Sequence, residues 1–173
     1  HAADLHLGSQ FSGIDYLDTA LKNRALNSSL QAFANLVEYS LESQADFLLL
    51  AGDVFDSPIP SVRVQKLFVK QVEKLQAAGI DVYMVTGNHD ANVLTNFVFP
   101  LPGNVHVFSS SQVESISRIY GGQPVTITGV SYAEEEVGDL SPLFPKARPG
   151  SFNIAVLHCD VGGQDLRYSP VSL

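Results

Sequence analysis

Short apolar runs that end in polar residues predict the strands of this chain. Three runs, at 47–51, 82–86 and 153–157, are rich in Val, Leu, Ile and aromatic residues, and each is of strand length. Further β-rich segments at 105–108, 114–120 and 125–130 are separated by turn signals such as Gly121-Gly122. The segment 114–120 alternates imperfectly, so we expect it to have one exposed face or to lie at a sheet edge.

Two stretches between the early strands have the spacing of an amphipathic helix. Apolar residues recur every three to four positions in 19–43 and again after Ser61, a plausible helix N-cap, until Gly79, which is predicted to end the second helix. The two stripes consist of Leu26, Leu30, Phe33, Val37 and Leu41, and of Val64, Leu67, Phe68, Val72 and Leu75. Strands alternating with helices predict an α/β protein with parallel pairing. Residues 8–18 and 134–149 are predicted to be loops.

Polar side chains follow the apolar runs at the points where buried strands should reach the surface. Asp53 and Asp56 follow the run at 47–51, Asn88 and His89 follow the run at 82–86, and His158 follows the run at 153–157. An Asp-x-His block, Asp4-Leu5-His6, lies near the beginning of the chain. Any one block is weak, since Gly, Asn and Asp are ordinary turn residues. Together they predict a two-metal phosphoesterase site at the carboxyl edge of the sheet.

These blocks resemble the motifs of the calcineurin-like metallophosphoesterase superfamily, over most of the chain. The first block, 1–9, and the block 51–56 are most similar to its DNA-repair exonuclease branch, the SbcD type. The resemblance implies that Asp4 and His6 hold one metal, Asn88 and His158 hold the other, and Asp53 bridges both. It also implies that His89 lies near the scissile phosphate and that Asp56 orients His89.

The same resemblance implies a layered α/β/β/α sandwich with two packed mixed sheets. It also implies a Gly-His-x-His block that completes both metal shells, and the chain has none. We therefore expect residues 1–173 to be one metallophosphoesterase domain that is truncated before that block and incomplete at both ends.

Two divalent metals suit phosphodiester hydrolysis, because they clamp the phosphate and lower the pKa of a bridging water. Mixed Asp, Asn and His ligands favour Mn, Fe or Zn over Ca or Mg, and the family resemblance favours Mn²⁺ among them. His89 should point differently from its neighbour Asn88, which leaves it free to donate a proton to the leaving oxygen or to stabilise the transition state.

Other polar residues are expected to be structural. His106 lies within a strand without a motif, Cys159 should point away from His158 by strand alternation, and Asp160 and Asp165 are expected on the surface. Asp90 is equally compatible with a turn and with a role beside His89.

Charge and cysteine content narrow the classes of function. The chain has 10 basic and 18 acidic residues, a net charge of −8, which is unfavourable for a free-standing nucleic-acid binder. The single Cys159 excludes an intrachain disulfide and favours the cytoplasm. No apolar run reaches the roughly 18 residues that a membrane span requires.

Three functions fit the sequence. The first is a DNA exonuclease or endonuclease of an SbcD-type repair complex. It would work with an SMC-like ATPase, and a second copy of the chain in a homodimer would supply further DNA contacts. The second is a phosphatase or phosphodiesterase for a small phosphorylated metabolite. The third is a non-catalytic module that docks a partner. Activity on bis(p-nitrophenyl) phosphate without activity on DNA favours the second, and the amount of bound metal separates the third from the others.

Overall fold

The layers of the fold follow from which face of each strand is apolar. A computed structural model describes residues 1–9, 18–163 and 167–171, so most of the predicted loop 8–18, as well as Asp165, lies outside the described residues. Its helices are α1 (Thr19–Leu26), α2 (Ser28–Glu42) and α3 (Val62–Ala77). The strands are β1 (Phe47–Ala51), β2 (Asp81–Val85), β3 (Val105–Val107), β4 (Glu114–Tyr120), β5 (Gln123–Gly129), β6 (Phe152–Val156), β7 (Asp160–Val161) and β8 (Pro170–Val171). Two 3-10 turns cover Val93–Asn96 and Ser141–Leu143.

The helix predicted over 19–43 is two helices. Asn27 interrupts it: its amide group donates to the carbonyl of Asn23 at 2.6 Å, and the Ser28 hydroxyl donates to the carbonyl of Ala25 at 2.7 Å. Such side chains compete with the helical hydrogen bonds, which explains the break. The apolar stripe continues through α2, where Phe33 and Val37 are buried, whereas the side chain of Leu26 lies outside the described part.

The second predicted helix is confirmed with its ends. The Ser61 hydroxyl oxygen accepts a hydrogen bond from the backbone N–H of Val64 at 3.3 Å, as an N-cap does. Gly79 follows the end of α3 with φ of +75°, the left-handed conformation that favours glycine after a helix.

The first sheet has the order β1-β2-β3, and its described strand pairs are parallel. The second sheet is mixed, because β4 and β5 are antiparallel whereas β5 and β6 are parallel. Of the two sheets expected to be mixed, only the second is therefore mixed among the described residues. Strand β4 lies at an edge of the second sheet, as its irregular alternation predicts.

Strands β1 and β2 bury both faces, and this creates the layers. Leu48, Leu50, Val82 and Met84 pack with helices α2 and α3 in one apolar cluster. The alternate residues Tyr83 and Val85 join Phe108, Val125, Ile127 and Val156 in a second cluster between the sheets. The order is thus helices, parallel sheet, mixed sheet. The outer helical layer of the expected sandwich is not among the described residues.

The N-terminal segment runs beside β1 and continues past its end. Ala2 pairs in parallel with Leu50, and Leu7 pairs in parallel with Phe55. This pairing carries Asp4 and His6 to the same edge at which β1 and β2 end.

Candidate metal centre

Asp53 is the centre of a group of polar side chains from four parts of the chain. Its Oδ2 atom lies 3.8 Å from Nε2 of His6 and 3.5 Å from Nε2 of His158. The same Nε2 of His158 lies 3.1 Å from Oδ1 of Asn88. Ligand atoms of Asp4, His6 and Asp53 also lie within 4.8 Å of one another. The structure therefore brings together the five residues named as metal ligands from the sequence.

His158 reaches this group from a different sheet than the sequence indicates. Its strand, β6, pairs with β5 in the second sheet, not with β1 or β2. The carboxyl ends of β1, β2 and β6 nevertheless meet at the same place, since the two sheets pack face to face through the second apolar cluster.

The backbone around Asp53 is held in unusual conformations. Asp4, His6 and Asp53 have φ of +53°, +43° and +48°, a region that residues with a side chain rarely adopt. Backbone hydrogen bonds hold the two segments together in this form: the N–H of Asp4 donates to the carbonyl of Gly52 at 3.1 Å, and that of His6 to the carbonyl of Asp53 at 3.0 Å. Strain of this kind concentrates at functional sites.

Two glycines leave the space that the side chains occupy. A Cβ atom on Gly87 would lie 2.3 Å from Oδ1 of Asp53 and 2.7 Å from Cδ2 of His158. A Cβ atom on Gly52 would lie 2.5 Å from the ring of His158, and Gly52 also has φ of +88°. Both glycines thus permit a close approach that no larger residue allows.

Asp90 is a buried residue whose role the sequence left open between a turn and a contact with His89. Its Oδ2 accepts the backbone N–H groups of Val54 at 2.9 Å and Phe55 at 3.2 Å, and its Oδ1 accepts that of Gly87 at 2.7 Å. Burial raises the pKa of this carboxyl, although the three N–H groups favour the ionised form. Asp90 therefore joins the two loops that carry Asp53 and Asn88. A carboxylate two residues after Asn88 was the only sequence signal for it.

The hydrogen bonds of the two histidines define which ring nitrogen faces Asp53. Nδ1 of His158 lies 3.1 Å from the carbonyl oxygen of Ala51, and Nδ1 of His6 lies 3.0 Å from Oδ1 of Asp56. Both partners are acceptors, so they support the tautomer that has the proton on Nδ1 and leaves Nε2 to bind a metal. An acceptor that holds the other ring nitrogen is the usual support of a metal-binding histidine.

This arrangement fits a cation. Lone pairs of His6 Nε2, His158 Nε2 and Asn88 Oδ1 converge with the carboxylates of Asp4 and Asp53, and Asp53 is only 3% exposed. Nε2 of His158 faces two oxygen atoms, Oδ2 of Asp53 and Oδ1 of Asn88, and a cation bound among these three atoms would satisfy all of them. The donor set of imidazole, carboxylate and amide oxygen suits a divalent transition metal.

Asp56 and His89 lie on one side of this group. Asp56 was expected to orient His89, but its hydrogen bond goes to His6. The His89 ring packs edge-on against the ring of His6 at 4.7 Å between centroids, and its backbone N–H donates to Oδ1 of Asp53 at 2.9 Å. A ligand atom of His89 lies within 4.8 Å of those of His6 and Asp56, so His89 remains close to both.

Tyr132 is a residue of the site that the sequence did not indicate. It is 0% exposed, and its ring packs edge-on against His158 at 5.5 Å. Burial is the main cause of its raised pKa, so the phenol stays protonated. Tyr132 belongs to no motif, and the β-rich segment before it does not differ from the other predicted strands. The sequence therefore gave no signal for it.

The remaining candidates lie outside the group. His106 lies 3.5 Å from Glu114 and packs on Phe108, at the first sheet's third strand. Burial raises the pKa of the Cys159 thiol, which disfavours the reactive thiolate. Asp160 is exposed, as expected.

Comparison with known proteins decides the family. A model of the calcineurin-like phosphoesterases matches residues 1–170. The chain belongs to the calcineurin-like phosphoesterase family. It is therefore a member of a family of hydrolases that depend on divalent metals.

Three relatives illustrate its place in the family. The uncharacterised metallophosphoesterase YhaO of Bacillus subtilis is 34% identical over 167 residues, which are 95% of this chain and 41% of that protein. The DNA double-strand break repair protein Mre11 of Thermoplasma acidophilum is 30% identical over 76% of this chain and 34% of its own length. The SbcD component of the nuclease SbcCD of Staphylococcus epidermidis is 25% identical over 76% of this chain and 32% of its own length. The chain thus spans less than half of each of these relatives.

None of the helices in the described ranges combines the length and the apolar character needed to cross a membrane.

Proposed function

We propose that the protein is a two-metal phosphodiesterase that cleaves DNA as a nuclease of the Mre11 and SbcD kind. The observation that carries the proposal is the position of Asp53, whose Oδ2 lies between the Nε2 atoms of His6 and His158 at 3.8 and 3.5 Å. A carboxylate between two imidazoles, each held by an acceptor at its other nitrogen, is the arrangement that a bridging metal ligand needs.

In this proposal Asp4 and His6 would hold one ion, Asn88 and His158 would hold the other, and Asp53 would serve both. The ions, Mn²⁺ by our preference and Fe or Zn as alternatives, would neutralise the phosphate oxygens and lower the pKa of a water molecule. Asp56 fixes the tautomer of His6, and Tyr132 and the Ala51 carbonyl fix the ring of His158. These residues are positioning residues because they act through the histidines.

His89 is the proposed proton donor to the leaving oxygen. Its backbone N–H is fixed to Asp53 and its ring is exposed beside His6, which leaves both ring nitrogens available for proton exchange. A positioned histidine contributes about 10²- to 10⁴-fold to such a step.

DNA as the substrate and an SMC-like ATPase as a partner are the finer parts of the proposal. They are supported by the similarity to Mre11 and to the SbcD component of SbcCD, whose names describe DNA repair and a nuclease. The net charge of −8 means that much of the grip on DNA must come from a partner or from a second copy of the chain. The single Cys159 supports the cytoplasm as the compartment.

A small phosphorylated metabolite is the second candidate substrate, because the same negative charge does not oppose a small ligand. The deciding experiment measures hydrolysis of bis(p-nitrophenyl) phosphate and of single- and double-stranded DNA by the full-length protein with Mn²⁺ and with EDTA. We expect metal-dependent hydrolysis of both kinds of substrate. Hydrolysis of the small diester alone supports the metabolite enzyme, and a protein without bound metal and without activity supports a partner-docking module.

A further inference from the structure

A cleft of about 470 Å³ opens beside His89, on the side away from His158. Its volume is that of a pocket for a small molecule. Asp56, Asn88 and His89 form the wall nearest to the metal centre, and Asn92, Glu134 and Glu135 belong to the far walls. Since His89 is the proposed proton donor, the cleft lies where the leaving half of a phosphodiester would be.

Two hydrogen bonds between the walls use the amide donors of Asn92 and Asn96. The amide NH₂ of Asn92 donates to the carbonyl of Ala133 at 2.6 Å, and that of Asn96 donates to the carbonyl of Pro58 at 3.0 Å. The remaining polar atom of each asparagine is an Oδ1 acceptor. These bonds also connect the Glu134–Glu135 segment and the Pro58 segment to the loop after β2, so hydrogen bonds hold the walls of the cleft in place.

The charge of the cleft is negative. Asp56, Glu134 and Glu135 bring three carboxylates, and among the described residues that line the cleft there is no lysine or arginine. The nearby Arg167 forms an ion pair with Glu136 at 3.7 Å. Asp56 is engaged with His6, whereas Glu134 and Glu135 are exposed and have no part in the metal centre.

The cavity on the His158 side differs from this cleft in how its negative charge is compensated. It has about 480 Å³ and three carboxylates, of which Asp4 and Asp53 belong to the metal centre, where bound cations would compensate their charge, and only Asp160 does not. In the cleft beside His89 the charges of Glu134 and Glu135 stay uncompensated. A second phosphate is therefore disfavoured more on the His89 side than on the His158 side.

Resting on the proposed phosphodiesterase activity, we propose that the cleft beside His89 takes the leaving half of the substrate as an uncharged group with hydrogen-bond donors, such as a nucleoside. Sugar hydroxyls and base amino groups match the acceptors of Asn92, Asn96, Glu134 and Glu135. A leaving half that carries a further phosphate is disfavoured, so in DNA the bond next to a terminal nucleoside should be cleaved several times faster than an internal bond. Glu134 and Glu135 are then the residues that set this specificity.

The size of the effect follows from Coulomb's law. One carboxylate about 7 Å from a phosphate charge in water repels it by an energy that lowers kcat/KM about threefold. Two carboxylates together lower kcat/KM by up to about tenfold at low ionic strength. Salt at about 0.1 M, with a Debye length of about 10 Å, reduces the discrimination.

The experiment compares three substrates of the full-length protein with Mn²⁺: the dinucleotide thymidylyl-thymidine, and the same dinucleotide with an added phosphate at its 3′ end or at its 5′ end. Product analysis identifies which half keeps the scissile phosphate and hence which half leaves. The isomer with the added phosphate on its leaving half should have kcat/KM about three- to tenfold below that of the plain dinucleotide, and the other isomer should lose less. The difference should shrink as salt is added.

The variant E134Q/E135Q should remove most of this difference, mainly through KM. The control variant E42Q/E73Q changes the net charge equally at exposed positions of α2 and α3 and should keep the difference. Equal hydrolysis of all three substrates, or an equal response of both variants, overturns the inference while leaving the phosphodiesterase standing. A protein that hydrolyses none of the three and no other phosphodiester overturns the proposed function itself.

Discussion

Each histidine that faces Asp53 has its other ring nitrogen on an acceptor, but the two acceptors differ in kind. For His158 it is the backbone carbonyl of Ala51, which no side-chain substitution removes, and for His6 it is the side chain of Asp56. The His6 half of the metal centre is therefore open to a mutational test.

We expect Asp56→Ala to weaken Mn²⁺ binding by about 10- to 100-fold, because His6 loses the acceptor that fixes its tautomer. Calorimetry measures the affinity, and activity should return when Mn²⁺ is added in excess. Asp160→Ala, which removes a nearby exposed carboxylate, serves as the control. If Asp56 instead orients His89, as the family resemblance implied, kcat falls at saturating metal and the affinity for Mn²⁺ does not change.

Replacing His89 tests the proton donor directly. His89→Ala should lower kcat for a phosphodiester by about 10²- to 10⁴-fold, because the leaving oxygen loses its positioned acid. Metal content per chain, measured by mass spectrometry of the metal, should stay that of the unmodified protein. Loss of metal in this variant would mean that His89 is a ligand.

Asp90 should contribute mainly to stability. In Asp90→Asn an NH₂ group replaces one of the two carboxylate oxygens, and an NH₂ group cannot accept a hydrogen bond. One or two of the buried backbone N–H groups of Val54, Phe55 and Gly87 therefore lose their acceptor. We expect the free energy of unfolding to fall by about 2–4 kcal/mol, measured by urea denaturation. Asp46→Asn, at an exposed position, should change it by less than about 0.5 kcal/mol. An unchanged stability with reduced turnover would assign Asp90 to the chemistry instead.

At the scale of elements, the sequence predicted best what depends on nearby residues. The apolar runs of β1 and β2, the N-cap at Ser61 and the end of α3 at Gly79 each rest on a few neighbouring positions, and the structure confirms them. Sheet membership depends on distant pairing instead: the run that became β6 looks like those of β1 and β2, and only its pairing with β5 puts His158 on the second sheet. For the same reason the partner of Asp56 and the position of Tyr132 could not be predicted.

Gly87 couples the end of β2 to the metal centre. Its φ is not in the left-handed region, so Gly87→Ala adds only a Cβ atom, which would lie 2.3 Å from Oδ1 of Asp53. Asp53 or His158 must move, and we expect Mn²⁺ affinity to fall by about tenfold or more while circular dichroism stays that of the folded protein. Gly138→Ala, where nothing lies within 4 Å of the added Cβ, should bind Mn²⁺ normally. Normal metal binding by Gly87→Ala would mean that there is more space between residue 87 and the side chain of Asp53 than the structure shows.

At the scale of the whole molecule, charge sets how this chain can meet DNA. Its 10 basic residues face 18 acidic ones. Four of the basic residues, Arg63, Lys66, Lys70 and Lys74, follow one another along α3 at helical spacing. Two of the four are already engaged, because Arg63 donates to Oδ1 of Asn27 and Lys74 pairs with Glu38. The chain therefore has little basic surface to spare for a long polyanion.

We expect these 173 residues, with Mn²⁺ present, to show no duplex binding at submicromolar concentration near 0.15 M salt. Whatever binding remains at low salt should disappear with EDTA, since the metal centre supplies most of the attraction. Its logarithmic salt dependence should be shallow, with a slope no steeper than about −3, because each phosphate contact contributes roughly −0.9. Electrophoretic shifts over a salt series measure this slope. A slope of about −6 or steeper that persists in EDTA would contradict the expectation and identify α3 as the DNA-binding surface, which Lys66→Glu with Lys70→Glu would then abolish.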